Sequence, residues 1–208
     1  MNRLKHHFTF DIKLLKGIYT LPFVGYIIAL FLIFTSHLNS TDPYLPYIFL
    51  QGVTVPVSGL HIVFLYSYIY DEGSKEVLLP YYKNNLLYDL VRYSMLHGCI
   101  LFLFTCLLIW LNGFGFFDAK IILHLLLLFV FYQVIGVTLL SLVESLELSI
   151  AIYATYTITE LVTKGTFLPW PHIFLFEEPI INIWLVLTFI FLILGLVLSI
   201  VQLIRSYK

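Results

Sequence analysis

Residues 119–162 read AKIILHLLLLFVFYQVIGVTLLSLVESLELSIAIYATYTITELV. After Lys120 no charge appears until Glu144. A helix needs about 20 mostly apolar residues to cross the hydrocarbon layer of a bilayer. Lys120–Val143 meets that need, and so does most of the run from Leu146 to Val162. No Gly or Pro marks the joint between them. As one helix, the stretch would be about 66 Å long, about twice the hydrocarbon thickness. The chain must therefore turn, and the place is Glu144-Ser145-Leu146-Glu147. Two carboxylates three residues apart are costly at the bilayer centre and tolerated at its surface.

Four more runs of this kind lie outside the stretch. The six expected spans are Gly17–Ser36, Leu45–Tyr70, Tyr93–Leu111, Lys120–Val143, Leu146–Val162 and Ile180–Ile204. All are long apolar runs without strict alternation, whereas a membrane barrel strand alternates over about ten residues. The composition agrees. Only 11% of the 208 residues are charged and 61% are hydrophobic, against about 25% charged in a soluble domain. That excludes a cytosolic enzyme, a disordered chain and a nucleic-acid binder. A net charge of −1 leaves no polybasic footprint. Cys99 and Cys106, the two cysteines, are too few for a disulfide scaffold and read as small core residues. The whole chain, 1–208, reads as one transmembrane domain.

Basic residues orient it. With six spans and the N-terminus inside, the cytoplasmic segments hold Arg3, Lys5, Lys13, Lys16, Lys75, Lys83, Arg92, Arg205 and Lys208, and the outer ones only Lys120 and Lys164. Both termini are then cytoplasmic. Residues 1–16 carry no cleavage signal. Leu4, Phe8, Ile12 and Leu15 fall on one helical face, so the segment reads as an amphipathic interfacial helix or as a simple polar leader. Asn39-Ser40-Thr41 is a glycosylation sequon on an outer loop, without meaning in a bacterial protein, which is the source expected.

Catalytic motifs are missing. There is no P-loop, no H-E-x-x-H helix and no G-x-S-x-G elbow. Glu177-Glu178 sits beside Pro179 with no histidine motif after it. His61, His97 and His124 each stand alone on a different span, and no i, i+4 pair suggests a metal site. Two spans do carry polar stripes. Gln51, Thr54, Ser58 and His61 share one face of span two; Ser149, Tyr153, Tyr156, Glu160 and Thr163 share one face of span five. Such faces turn away from lipid, either toward a cavity or into bonds between helices.

The segment Asp71–Arg92 between spans two and three is cytoplasmic by the charge rule. Gly73 can close one helix and Ser74 can cap the next, after which Val77, Leu78 and Leu79 present an apolar face. An acidic residue, Gly, Ser, a Glu two further on, a Leu pair and a Pro are carried here by Glu72, Gly73, Ser74, Glu76, Leu78, Leu79 and Pro80. Placed after span two, this pattern is similar to permease subunits of type-2 ATP-binding-cassette (ABC) exporters. The resemblance implies an all-α integral membrane protein with an amphipathic N-terminal interfacial helix and six transmembrane helices. It also implies a cytoplasmic coupling helix within residues 71–92 and a re-entrant outer segment at Lys164–Pro179, which otherwise reads as an aromatic surface loop.

The resemblance further implies that the chain binds no cofactor. ATP and Mg would be bound by a partner ABC ATPase dimer, contacted through Glu72, Gly73, Ser74, Glu76, Val77, Leu78, Leu79 and Pro80. A second permease chain, identical or paralogous, would complete the path. Gln51, Thr54, Ser58, His61, Tyr153, Tyr156 and Glu160 would line that path within the plasma membrane, in contact with its lipids. The stripes hold no Lys or Arg, so the expected cargo is hydrophobic or amphipathic, a peptide first. Two other readings remain open at this point. One is an integral membrane enzyme acting on lipid or peptide through Glu144, Glu147 or Glu160. The other is a membrane immunity protein that binds a peptide without pumping.

Overall fold

The computed structural model describes residues 2–40, 42–70, 75–167, 172–177, 179–180 and 183–207. Every regular element among them is helical. Helix α1 (Asn2–Leu15) stops where Lys16 takes a left-handed φ of 50°. A 3-10 turn then leads into α2 (Leu21–Asn39). Next come α3 (Tyr44–Phe49), a π-helical turn (Leu50–Thr54) and α4 (Val55–Ser67), joined end to end. They are followed by α5 (Lys75–Asn112), α6 (Ala119–Val143), α7 (Leu146–Thr163) and α8 (Ile183–Ser206).

Five stretches are long and apolar enough to cross a membrane: Lys5–Asn39, Tyr44–Tyr70, Asn85–Asn112, Ala119–Val143 and Ile183–Ser206. The chain is thus a bundle of apolar helices suited to a membrane. Its outer faces agree, with Phe31, Phe102, Leu103, Trp110 and Leu198 all largely exposed. α7 is not among the five. It has 18 residues, with Glu147 in its first turn and Glu160 in its last. The joint before it has a physical cause: Glu144 takes a left-handed φ of 54° and closes α6, and the Ser145 side chain accepts from Leu148 N to open α7.

The bundle has two distinct ends. At one, Phe8 and Leu14 of α1 gather with Tyr66, Ile69, Tyr93, Leu146, Ile150, Leu203 and Tyr207. At the other, Asn112 Nδ2 donates to Pro43 O at 2.8 Å and Lys120 Nζ to Pro179 O at 2.9 Å. Asp118 opens α6 at this second end. The Lys120 side chain and N–H beside it hold the Asp118 carboxyl below the usual carboxylate range. α1 and the last turn of α8 share the first end. α7 runs from that end to the second, since Leu146 and Ile150 pack in the first cluster and Tyr156 in the other.

α4 is the central element, with Val55, Ile62 and Tyr66 fully buried. It lies close against α6 because both helices present glycine. A Cβ on Gly59 would fall 2.3 Å from Tyr132 O, and one on Gly136 would fall 2.5 Å from a Val63 methyl. The π turn has a cause in Pro56, which has no N–H for residue 52 and whose ring crowds that carbonyl. A wider turn before it relieves both.

The structure corrects three expectations. The segment after span two is not a separate short helix: α5 runs unbroken from Lys75 to Asn112. Pro80 stands so near its start that only one main-chain bond is lost, in an exposed turn. Cys99 and Cys106 are exposed on α5 rather than in the core, because an apolar run reads alike whether it faces lipid or protein. The buried face of α1 holds Asp11 and Leu15, with Phe8 half-buried, while Ile12 points outward. Arg92 is buried at the α1 end of the bundle.

The close α4–α6 crossing is testable. Gly59→Ala overpacks a backbone contact and should cost about 1–3 kcal/mol, seen as a lower thermal midpoint of the purified protein in detergent. Gly17→Ala, which meets nothing within 4 Å, should leave the midpoint unchanged. Equal midpoints for the two variants would refute the crossing.

Candidate functional site

Residues 172–176 form no helix, yet Ile173, Phe174 and Leu175 are 4%, 3% and 9% exposed. Extended backbone has no internal hydrogen bonds. Buried among apolar helices, it needs partners for each N–H and C=O. Three side chains from three elements supply five of the six for residues 173–175. Gln51, in the π turn, accepts from Leu175 N at 3.0 Å through Oε1 and donates to Leu175 O through Nε2, as a neighbouring strand would. Glu160 Oε1 of α7 accepts from Ile173 N at 2.8 Å and from Phe174 N at 3.3 Å. His124 Nε2 of α6 donates to Ile173 O at 2.8 Å, and its Nδ1 meets the Tyr47 hydroxyl at 3.0 Å. The Phe174 ring stacks over Tyr132 with an interplanar angle of 13°. His172 Nδ1 lies 3.7 Å from Glu160 Oε1. The segment is therefore clamped into the second end of the bundle.

A second polar system continues down α4. Gln133 Nε2 of α6 donates to both Ser58 O and Ser58 Oγ at 3.0 Å, and Tyr153 of α7 donates to Pro56 O. His61 Nδ1 stands 2.8 Å from His97 Nε2 of α5, and His61 Nε2 stands 2.8 Å from Tyr19 O. His97 Nδ1 meets the Tyr26 hydroxyl at 2.6 Å. Tyr93 lies parallel to His61 with ring centroids 5.2 Å apart, and its hydroxyl donates to Asp11 at 2.8 Å.

Asp11 leads to the third system, at the α1 end. Arg92 Nη2 sits 2.6 Å from Asp11 Oδ2 and 2.7 Å from Asp89 Oδ1. Its guanidinium lies over the rings of Phe8 and Tyr93 at 4.8 and 4.9 Å. Tyr66 donates to Asp89 at 3.1 Å. A buried charge survives only when paired and bonded in this way, and the pairing keys α1 to α5.

The stripe residues named from sequence thus divide. Gln51, Thr54, Ser58, His61, Tyr153 and Glu160 are buried inside the chain and Tyr156 is half-buried. Gln51, Ser58, His61, Tyr153 and Glu160 spend their polar groups on bonds between elements. On α5, Glu76, Val77 and Pro80 are exposed, while Leu78 and Leu79 are half-buried against the first-end cluster. Glu72, Gly73 and Ser74 lie outside the described residues. The glutamates of the enzyme reading are not brought together: Glu144 and Glu147 stand at the α6–α7 joint, and Glu160 at the far end of α7. Among the described residues no three of His, Cys, Asp and Glu converge as metal ligands.

Several participants were not singled out from sequence: Tyr26, Tyr47, Asp89, Tyr93 and Gln133, with Asp11 and Arg92 placed elsewhere. The three histidines judged solitary all have partners. A signal existed, because an ionisable group within an apolar run demands a partner at its own depth.

Two expectations follow. Glu160→Ala leaves the Ile173 and Phe174 N–H groups unbonded and should cost about 1–3 kcal/mol for each orphaned group; hydrogen exchange at those amides should accelerate. Glu160→Gln keeps an acceptor and should restore most of the protection. Identical exchange in the two variants would dissolve the clamp. Separately, Arg92→Met leaves two buried carboxylates unpaired and should destabilise by about 3–5 kcal/mol, read as loss of folded protein on size-exclusion chromatography. Set against protein-family models, curated proteins and solved structures, the chain finds no match in any of the three.

Proposed function

We propose that this chain is the permease subunit of an ABC exporter that moves a hydrophobic or amphipathic cargo, a peptide first, out of the cell. The observation that carries the reading is the clamped segment 172–176. Its bonds come from α6, α7 and the turn before α4, so it can be released only if those elements move relative to one another. That is a gate whose opening is a helix rearrangement, and rearrangement needs work from outside the chain.

The opposite end offers a handle. α5 begins with Glu76 exposed and Val77 75% exposed, and runs about 57 Å without a break. A force on its first turns is carried along a rigid rod. Leu78 and Leu79 tie those turns to the cluster that holds α1. In this reading the α1 end is cytoplasmic, six helices cross a bacterial plasma membrane, α7 being the fifth, and both termini are inside. Residues 71–92 form the coupling segment and Lys164–Pro179 the re-entrant outer closure. Two ATPase subunits bind ATP and Mg and grip the coupling segments of two permease chains.

The polar stripe then has two states. In the closed chain Gln51, Ser58, His61, Tyr153 and Glu160 bond to neighbouring elements. When α4 and α7 tilt apart as rigid bodies, these groups, with Thr54 and Tyr156, come to line the path. They carry no fixed cation, which suits an apolar or amphipathic cargo.

The handle is the part to test. Coexpressed with its ABC ATPase, the wild-type chain should copurify with it. The double variant Glu76→Ala, Val77→Ala should lose about tenfold in affinity, the effect of one or two well-packed contacts, while still inserting in the membrane. Undiminished copurification would reject the proposal.

A further inference from the structure

The hydrogen-bond chain through the two buried histidines has a direction fixed at one end. Tyr19 O is a carbonyl and can only accept, so His61 Nε2 carries a hydrogen. A neutral His61 then leaves Nδ1 bare, and Nδ1 must accept from His97 Nε2–H across 2.8 Å. His97 Nδ1 is bare in turn and accepts from the Tyr26 hydroxyl at 2.6 Å. Every hydrogen in the series Tyr26, His97, His61, Tyr19 points the same way.

We propose that His61 and His97 together form a site for one proton, and that its occupancy sets how α2 is bonded to α5. The balance is simple. A proton taken from water adds to His97 Nδ1, the bare nitrogen at the open end. The Tyr26 hydroxyl turns its own hydrogen away, and its oxygen accepts from the new N–H. The bridging hydrogen can then pass from His97 Nε2 to His61 Nδ1, moving the charge to His61 and leaving His97 neutral with its hydrogen on Nδ1. No other atom changes hands. A second proton would set two N–H groups against each other at 2.8 Å, so the pair holds one and refuses two.

The surroundings suit a single positive charge. From α1 comes Asp11, and from α5 come Tyr93, Arg92 and Asp89; the two aspartates and one arginine sum to a formal −1. Tyr93 joins that group to the pair, stacking on His61 and donating to Asp11. The turn after α1 brings Tyr19, whose ring lies 4.7 Å from His61. α2 brings Tyr26, and α7 brings Tyr153, whose hydroxyl is already held by Pro56 O. From α6 Tyr132 is likewise occupied, by Thr157. Among the described residues Tyr26 Oη has no second hydrogen-bond partner, so turning its hydrogen away leaves it unbonded in an apolar setting. The cost falls on the α2–α5 contact, and α2 must shift to relieve it.

His124 supplies an internal comparison. It too lies between a tyrosine hydroxyl and a backbone carbonyl, and Glu160 stands behind it through Ile173 as Asp11 stands behind His61 through Tyr93, but among the described residues no second imidazole is bonded to it.

The test is nitrogen NMR of the full-length protein, labelled with 15N-histidine and held in lipid nanodiscs, titrated from about pH 8 to about pH 4 across the ordinary imidazole range. His61→Phe and His124→Phe variants assign the signals. The expected result is uptake of one proton per His61–His97 pair while one bare nitrogen of the pair persists, with His124 neutral throughout. In His61→Phe, His97 loses its shared bridge, and its uptake should move at least tenfold in proton concentration toward acid. Two protons per pair, no uptake over the range, or uptake no earlier than His124 would each overturn the proposal. Nitrogen–nitrogen coupling across the 2.8 Å bridge marks the pair in the wild-type spectrum itself, so a variant that fails to fold does not protect the idea. The experiment contains no ATPase, so it stands or falls apart from the exporter reading.

Discussion

Among apolar helices a polar group has only the protein to bond with. That constraint shapes every unusual feature of this chain. Main-chain groups of a helix satisfy one another, so the apolar helices need nothing more. The exceptions need side chains: the extended residues 173–175, the carbonyls of Tyr19 and Pro56, and the buried Arg92. Each is met by polar side chains, all from other elements except Asp89, which shares α5 with Arg92. Gln51, Glu160 and His124 serve the first, His61 and Tyr153 the second, Asp11 and Asp89 the third. The polar residues of the core are therefore the fasteners of an assembly whose apolar surfaces resemble its solvent and supply little specificity.

This constraint also explains what could be read in advance. The long apolar runs were legible because crossing length and charge cost act locally. The turn at Glu144-Ser145 was legible for the same reason, since its two carboxylates declare themselves within four residues. The face of α1 was not. Spacing favoured Ile12 and placed Asp11 on the polar side, but the partners of Asp11, Arg92 and Tyr93, lie on α5, where the expected coupling segment meets the expected third span. Nor was the histidine pairing visible. Helical periodicity compares residues within one helix, whereas His61 and His97 meet because two antiparallel helices bring them to a common depth. The cysteines failed for another reason: in a membrane protein apolarity no longer separates inside from outside.

The stripes illustrate how a correct pattern can carry a different role. Gln51, Ser58 and His61 do share a helical face, and Tyr153 and Glu160 share another. Those faces are consumed in bonds to α4, α5, α6, the Tyr19 carbonyl and the segment 173–175. A polar stripe on a membrane helix thus reports that something polar faces it. Whether that is water, cargo or another backbone depends on what the rest of the chain leaves unbonded, and here the non-helical segment had the first claim on Gln51 and Glu160.

α4 unites the ends. It carries His61 near one and follows the π turn with Gln51 near the other, about 15 Å apart along the axis. Sliding of α4 against α6 is opposed by backbone contact, because Gly59 lies against Tyr132 O and Gly136 against Val63. The two helices are keyed to each other. α5 is different: its outer face is bare, and polar contacts tie its inner face to three neighbours, Tyr26 of α2 and His61 of α4 through His97, and Asp11 of α1 through Arg92. A displacement there cannot leave those bonds intact, since hydrogen bonds of 2.6–2.8 Å tolerate little stretching. The polar contacts of α5 therefore fix its place in a bundle whose apolar surfaces supply little specificity.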